Sequence, residues 1–352
     1  MSAFDRLFRD DDMYWNPRRT RSYNSLYNFI VGMRGAGKTF GALADCSDRF
    51  DKGKGKFIYL RRYSTELDGL TNGPMPALFS KVQSMIPEHK WECKNNMFYM
   101  DDEHCGWAVP LSTSNIMKSF DFMDVSTIIF DEFIIDNRGV YHYIKNEVNL
   151  FNTFYQTVVR DMSKFVPVFF LSNAVSISNP YFDYYHLDKP ANGQRIRRFG
   201  ANKGILVENV VPPRNAEKVR NSAWFDINAG SEYAEYAVDN QWLLDNEDFV
   251  EKKPYTVQYD STLRYNGHDI GVWIEPSNWV YYISNDVEAN FPRYFAVTAD
   301  DHKPNVLLLQ AAKKLPVIHA LKTAYEAGAV RYESMKLKNE FKDIMRLCRG
   351  YQ

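Results

Sequence analysis

The chain is poor in cysteine and has no excess of charge of either sign. Its 352 residues hold four cysteines, Cys46, Cys93, Cys105 and Cys348. None stands in a CxxC pair, so the sequence indicates neither a zinc site nor a disulfide framework. Reduced thiols in a cytoplasm are the simplest account. The formal net charge is −1, which excludes a uniformly basic nucleic-acid binder. Any nucleic-acid contact must come from a local patch or from the lining of a ring. No apolar run is long enough to span a bilayer, and no stretch reads as a signal peptide. There is no internal repeat and no low-complexity tract. Apolar residues nonetheless make up 45% of the chain, enough for real cores, and the length suits two domains.

What is present is organised around one stretch, Gly32-Met33-Arg34-Gly35-Ala36-Gly37-Lys38-Thr39. It reads G-x-x-x-x-G-K-T, the phosphate-binding loop pattern. The apolar run Tyr27-Asn28-Phe29-Ile30-Val31 before it suits a buried strand, and Phe40-Gly41-Ala42-Leu43-Ala44 after it suits the start of a helix. The pattern therefore stands in the strand–loop–helix context that it needs. Gly32, Gly35 and Gly37 lack Cβ, so backbone can wrap a phosphate closely and visit positive φ. The loop N–H groups and the helix N-terminus point at the anion. Lys38 is expected to reach the β- and γ-phosphates of ATP, and the Thr39 hydroxyl to hold Mg²⁺.

A second strand supplies the acids. Ser126-Thr127-Ile128-Ile129-Phe130 runs straight into Asp131-Glu132. So apolar a run fits a parallel strand covered on both faces, and ligands of open α/β sheets bind at the C-terminal ends of such strands. Asp131 is expected to hold Mg²⁺, directly or through water. Glu132 is placed to take a proton from the attacking water.

Residues 1–24 are polar and charged and read as an arm, ordered only where Tyr14 and Trp15 find a surface. Within it, Arg18, Arg19 and Arg21 are either solvated or in contact with nucleic acid. The turn containing Lys52, Lys54 and Lys56 feeds the strand Phe57-Ile58-Tyr59-Leu60, which ends in Arg61-Arg62. In a parallel sheet the lysine turn lies on the edge away from ATP, and Arg61 and Arg62 lie on the phosphate edge. These five cations are candidate DNA contacts; Arg61 and Arg62 could equally serve ATP or a neighbouring subunit. Met97–Met100 and Trp107–Pro110 flank an acidic hairpin turn. Apolar spacing predicts a helix over Tyr141–Val159 with Arg160 at its end. The strand Val166–Leu171 then ends in Ser172-Asn173, where Asn173 could contact the γ-phosphate or the water, or merely cap a turn.

Beyond Gly200 the composition shifts. Val211-Pro212-Pro213 reads as a linker start. Strand patterns cover Thr256–Tyr265, His268–Ile274 and Val280–Ile283, with Asn266-Gly267 a strong hairpin signal. Helical patterns cover Val306–Lys314, Val317–Glu326 and a last stretch through Met335, Phe341, Ile344, Met345 and Cys348. Strands first and helices after suggest an α+β unit. The expected division is a P-loop ATPase domain over 1–208, with the arm over 1–24, a linker over 209–246 and a C-terminal domain over 247–352.

The chain resembles the DNA-packaging ATPases of phi-29-type tailed phages, small relatives of the large terminases. The stretches that carry the resemblance are Asn28–Thr39, Phe57–Tyr63, Gly106–Leu111, Val125–Phe133, Leu171–Val175, Asn179–Phe182 and Gly271–Trp273. They run over most of the chain, more densely in its first half, and Arg34 inside the loop is typical of viral packaging motors. The resemblance implies a P-loop ATPase of the ASCE type that uses ATP and Mg²⁺. It implies a homo-oligomeric ring, a pentamer in the family, seated at the portal vertex of a procapsid and threading double-stranded DNA inward. A packaging RNA is a further partner to consider. The implied location is the host cytoplasm and, transiently, the portal vertex. Lys38 and Thr39 match the nucleotide-loop residues, and Asp131 and Glu132 the metal-binding and catalytic acids. Arg160 matches the region of a trans-acting arginine finger, its bland alternative being a helix C-terminal cation. Lys118 matches a second trans-acting position. The C-terminal domain is implied to be RNase H-like and nuclease-derived. Asp260 is its one carboxylate well placed in the first strand, so a vestigial domain is expected. Two other readings stand beside the motor: a packaging enzyme that also cuts DNA, and a nucleotide-gated scaffold with little turnover.

Overall fold

The computed structural model describes residues 3–8, 13–71, 74, 76–114, 121–135, 143–160, 164–173, 177, 179–191, 193–200, 202–228, 249–304 and 306–349. The chain divides into two compact units, Met1–Leu243 and Leu244–Gln352.

The first unit is a mixed α/β structure on a nine-stranded sheet, counted among the described residues. Its strands are β1 (Tyr27–Gly32), β2 (Lys56–Arg61), β3 (Trp91–Lys94), β4 (Met97–Met100), β5 (Glu103–Pro110), β6 (Val125–Asp131), β7 (Val168–Asn173), β8 (Ile196–Phe199) and β9 (Ile205–Val210). The order across the sheet is β3-β4-β5-β2-β6-β7-β1-β9-β8. The strands from β5 to β9 in that order pair in parallel. Antiparallel β3 and β4 extend one edge and β8 the other. The parallel strands are the near-continuous apolar runs of the sequence, as burial on both faces demands. Phe29 of β1 stacks on Phe170 of β7 with ring centroids 4.3 Å apart.

Strand β7 lies between β1, which carries the phosphate loop, and β6, which carries the acids. Gly32 is level with Asn173, and Asp131 with Leu171. The loop, Asn173 and the acids therefore emerge together at the carboxyl edge. The helix Glu147–Val159 joins β6 to β7 and so runs back along the sheet. Its first residue meets Arg62, just past the end of β2, whereas Tyr155 near its other end donates to Val166 O, just before β7. Arg160 thus stands at the edge away from the phosphate loop.

Two boundaries differ from expectation. Position 208 falls inside β9, and the helix Pro213–Arg220 follows within two residues of that strand. Ala216 belongs to the first unit's core, with Val211, Val219 and Phe225 packed against it. The prolines at 212 and 213 open this helix rather than a linker, since Pro is tolerated in a first turn. The rest of the expected linker, 229–246, lies outside the described residues. The helix expected over Tyr141–Val159 begins at Glu147, and residues 141–142 lie outside the described set.

The arm is docked at Trp15, and Arg18 and Arg21 are engaged within the unit rather than solvated or offered to nucleic acid, whereas Arg19 is exposed. Trp15 is fully buried and its indole N–H lies within reach of Thr20 and Glu208. Asn16 caps the short helix Pro17–Arg21 by accepting from Arg18 N. Arg18 pairs with Asp5 and Asp48, and Arg21 with Asp45. Hydrophobic docking of one tryptophan brings the arginines within reach of helix carboxylates, a gain that a local reading of charge misses.

The second unit has a six-stranded sheet of its own, again among the described residues. Its strands are β10 (Gln258–Tyr265), β11 (His268–Glu275), β12 (Val280–Ser284), β13 (Tyr294–Ala296), β14 (Leu307–Leu308) and β15 (Val330–Tyr332). The order is β14-β13-β10-β11-β12-β15. Both residues of the Asn266-Gly267 turn have positive φ, at 50° and 82°, as a type I′ hairpin requires. The helices Pro316–Glu326 and Met335–Arg349 pack on this sheet through Ile318, Leu321, Phe341 and Ile344. Val306–Lys314 is not a continuous helix: it holds β14 and a single 3₁₀ turn, Ala311–Lys314.

A buried ion pair locks the carboxyl edge of the first sheet. Arg62 donates to Glu147 through Nε at 2.7 Å and through Nη2 at 2.9 Å. It also donates to the carbonyls of Glu132 and Phe133. Glu147 accepts in turn from Tyr181 OH and Ile144 N. Removing one partner strands a buried charge, which costs about 3–5 kcal/mol. Arg62→Ala and Glu147→Gln should therefore each lower the stability of the first unit by that order, read as a shift in its denaturant midpoint. Midpoints within experimental error of wild type would show that water replaces the pair.

Candidate nucleotide-binding site

The loop is shaped by glycine in two ways. Gly35 and Gly37 hold φ of 81° and 77°, the left-handed region where a side chain is strained. Gly32 does not. A Cβ there would lie 2.3 Å from Val210 O, so its glycine lets β9 close on β1. Met33 and Ala36 are buried and Arg34 is exposed. The arm completes the surround: Trp15 N donates to Ala36 O, and the Tyr14 ring covers Gly37 so closely that a Cβ would meet it at 2.7 Å.

Lys38 is buried at the first position of the helix Lys38–Asp51. Its ammonium donates to Gly32 O at 2.9 Å, Met33 O at 2.8 Å and Asn173 Oδ1 at 3.2 Å. Burial pushes its pKa down to about 7, against the opposing pull of Asp131 and Glu132. A polyanion beside it would favour the charged form. Thr39 Oγ1 donates to Asp131 Oδ2 at 2.8 Å. These two groups are hard oxygen donors beside a phosphate cradle, a donor set that fits Mg²⁺, which takes few protein ligands and completes its shell from phosphates and water.

The acid pair is split by its backbone. Asp131 ends β6 and its side chain is buried, whereas Glu132 has φ 55° and a side chain 57% exposed. Positive φ is uncommon for such a residue; here it turns the second carboxylate away from the first. The Glu132 N–H donates to Asp131 Oδ1 at 3.1 Å. Arg61 lies among three carboxylates: 3.4 Å from Glu132 Oε2, 3.5 Å from Glu66 Oε1 and 3.9 Å from Asp131 Oδ2.

The structure therefore brings Gly32–Thr39, Asp131, Glu132 and Asn173 together and adds Arg61 to them. Arg61 and Arg62 are both buried, engaged by carboxylates and carbonyls of their own unit, and so do not offer a DNA-facing surface. Lys52 pairs with Asp48, and Lys56 lies over the Trp107 ring beside His104. Lys54 is exposed. Arg160 caps the C-terminus of its helix with φ 42° and an exposed side chain, and does not join its own chain's loop. Lys118 lies outside the described residues. Sequence reasoning passed over Tyr59 and Glu66. Tyr59 OH donates to Asp131 Oδ2, but in the sequence it is one more aromatic in a buried strand.

The fold and this edge define an ATPase of mixed α/β type, its glycine-rich loop and acids on parallel strands. The family model for the Podovirus DNA encapsidation protein (Gp16) matches residues 9–349, and the chain belongs to that family. It is 32% identical over 340 residues to the DNA packaging protein of Bacillus phage phi29, covering 97% of this chain and 99% of that protein. It is 34% identical over 323 residues to the DNA packaging protein of Bacillus phage B103, covering 90% and 95%. Among solved structures it is similar to the bacteriophage phi29 genome packaging motor assembly, with TM-score 0.73, 31% identity and coverage of 96% of this chain and all of that one. The N-terminal domain of the phi29 packaging ATPase matches 56% of this chain and 95% of its own length, with 37% identity and TM-score 0.50. With its family, the chain is a motor ATPase of viral DNA packaging.

Binding and turnover should separate by mutation. Lys38→Ala removes the loop's cation and should weaken nucleotide binding itself. Glu132→Gln keeps shape but cannot accept a proton, and should retain binding while losing about 10²–10⁴ in turnover. Near wild-type hydrolysis by Glu132→Gln would remove Glu132 from the role of base.

Proposed function

We propose that the chain forms a homo-oligomeric ring, a pentamer as in the resembling phage ATPases, that couples ATP hydrolysis to translocation of double-stranded viral DNA into a procapsid. The observation that carries this reading is the division of the catalytic set between two sheet edges. The loop, Asp131, Glu132 and Asn173 share the carboxyl edge, whereas Arg160 stands at the other. A cation that cannot reach its own loop is suited to a neighbour's.

In this reading the loop N–H groups and Lys38 would bind the β- and γ-phosphates of ATP, and Thr39 and Asp131 would hold Mg²⁺. Mg²⁺, when bound, would offset the charge on the β- and γ-oxygens. Glu132 leaves Arg61 and takes a proton from the water at its carboxylate. Asn173, already hydrogen-bonded to Lys38, orients the water or senses the γ-phosphate. Arg160 of the next subunit bridges phosphoryl oxygens with its planar fork, a contribution worth roughly 10³–10⁵ in rate in well-studied GTPases. Lys118 remains a second trans-acting proposal. Of the proposed DNA contacts, the lysine turn with Lys52, Lys54 and Lys56 is retained, Lys54 first among them. The portal of the procapsid and a packaging RNA are proposed as the remaining partners, with the host cytoplasm and the portal vertex as the place of action.

For the second unit we propose a vestigial RNase H-like domain. Five of its strands run β12-β11-β10-β13-β14, with the first hairpins antiparallel and the crossover strands parallel. Asp260 of β10 pairs with Arg293 at 3.0 Å and accepts from Ser261. A two-metal nuclease needs several converging carboxylates, whereas Asp260 meets an arginine and a serine, which favours the motor over a packaging enzyme that cuts DNA.

Trans action is tested by mixing Arg160→Ala subunits with Glu132→Gln subunits, each nearly inactive alone. In mixed rings some interfaces join an intact Glu132 to a neighbour's intact Arg160, so ATPase should partly return. Mixtures that form rings yet never exceed their parents would assign Arg160 to helix capping. Binding of duplex DNA should be nearly sequence-blind, and its log affinity should fall linearly with log salt, by about 0.9 per phosphate contacted. Affinity flat across salt would exclude an electrostatic contact, and Lys54→Glu should reduce the slope.

A further inference from the structure

The hydroxyl of buried Tyr59 meets the carboxylate that ends β6. Tyr59 lies in β2, in parallel register with Ile129 of β6. Side chains two apart share a face, so Tyr59, Ile129 and Asp131 face the same way. The tyrosine is long enough to reach forward past Ile129 to the carboxylate, where its hydroxyl donates to Asp131 Oδ2 at 2.8 Å. That oxygen also accepts from Thr39 at 2.8 Å, while Oδ1 accepts from the Glu132 N–H. Both oxygens are therefore held, which restricts rotation of the carboxylate about its last bond.

The residue type is informative. Its strand neighbours Phe57, Ile58 and Leu60 are wholly apolar and, like Tyr59, are fully buried. Phenylalanine would fill the same volume without bringing a hydroxyl that must find a partner. Of the two donors to Oδ2, Thr39 stands in the first turn of the helix after the loop and is itself a proposed Mg²⁺ ligand, whereas Tyr59 stands in the sheet and approaches the carboxylate from that side. Groups behind a metal ligand commonly fix its orientation, and losing one weakens metal affinity by about 10–100-fold.

We propose that Tyr59 is a positioning residue for Asp131, setting the affinity of the site for Mg²⁺ by fixing the carboxylate from the sheet side. This rests on the reading of Asp131 as a metal-binding acid.

The test compares Tyr59→Phe and Asp131→Asn in the full-length protein. Metal affinity is measured directly by Mn²⁺ electron paramagnetic resonance with ADP present, and by the Mg²⁺ concentration for half-maximal ATPase. ADP binding in EDTA is measured beside them. Tyr59→Phe should weaken Mn²⁺ binding about tenfold and raise the Mg²⁺ requirement in parallel, with ADP binding in EDTA unchanged. A purely structural hydroxyl would instead leave metal affinity as it was, or weaken ADP binding in EDTA equally; either result overturns the proposal. If Asp131→Asn weakens the metal and Tyr59→Phe does not, Tyr59 alone is misassigned. If neither variant changes metal affinity, the metal role of Asp131 fails first.

Discussion

One hydrogen bond, Thr39 to Asp131 at 2.8 Å, ties the phosphate loop to the acidic strand across an intervening strand. It forms only because β1, β7 and β6 run parallel and end within two residues of one another. A slip of one residue in β6 would turn Asp131 to the opposite face of the sheet. The register is held by apolar burial along all three strands, so the site inherits its precision from packing. Asn173, at the end of the strand between, is carried to Lys38 by the same alignment.

Charge inside this unit is spent on itself. Arg18, Arg21, Arg61, Arg62 and Arg195 all pair with carboxylates of their own unit. The near-zero net charge of the chain counts these paired groups with the rest, and so says little about its surfaces. Of these, the Arg62–Glu147 pair is buried on both sides, and such a pair adds less to stability than its Coulomb energy suggests, because both partners are desolvated. What they add here is placement: Arg62 holds the two carbonyls that follow the acidic strand, and Arg61 holds Glu132.

Much of the site was legible in the sequence because its signals are local. A phosphate loop declares itself in eight consecutive residues, and an apolar run ending in two acids declares a parallel strand. Asn266-Gly267 declared its hairpin by the positive φ that both residues tolerate. What was not legible depended on contacts across sequence. Arg62 looks like a surface cation until Glu147, 85 residues on, closes over it. Trp15 calls for a surface, but the sequence does not say that it meets Glu208, 193 residues on. Tyr59 looks like core until its hydroxyl meets Asp131. Short strands such as β13, β14 and β15 carry too few residues for alternation to register.

The helix Glu147–Val159 connects these themes. Its 13 residues span about 20 Å at 1.5 Å per residue. One end is joined through Glu147 and Arg62 to the backbone of Glu132 and Phe133. The other end carries Arg160. The Arg62–Glu147 pair therefore fixes the start of this helix against the backbone that follows the acidic strand, and the length of the helix sets Arg160 apart from that anchor. Breaking the pair strands two charges buried from water, which is why the helix start is held in place.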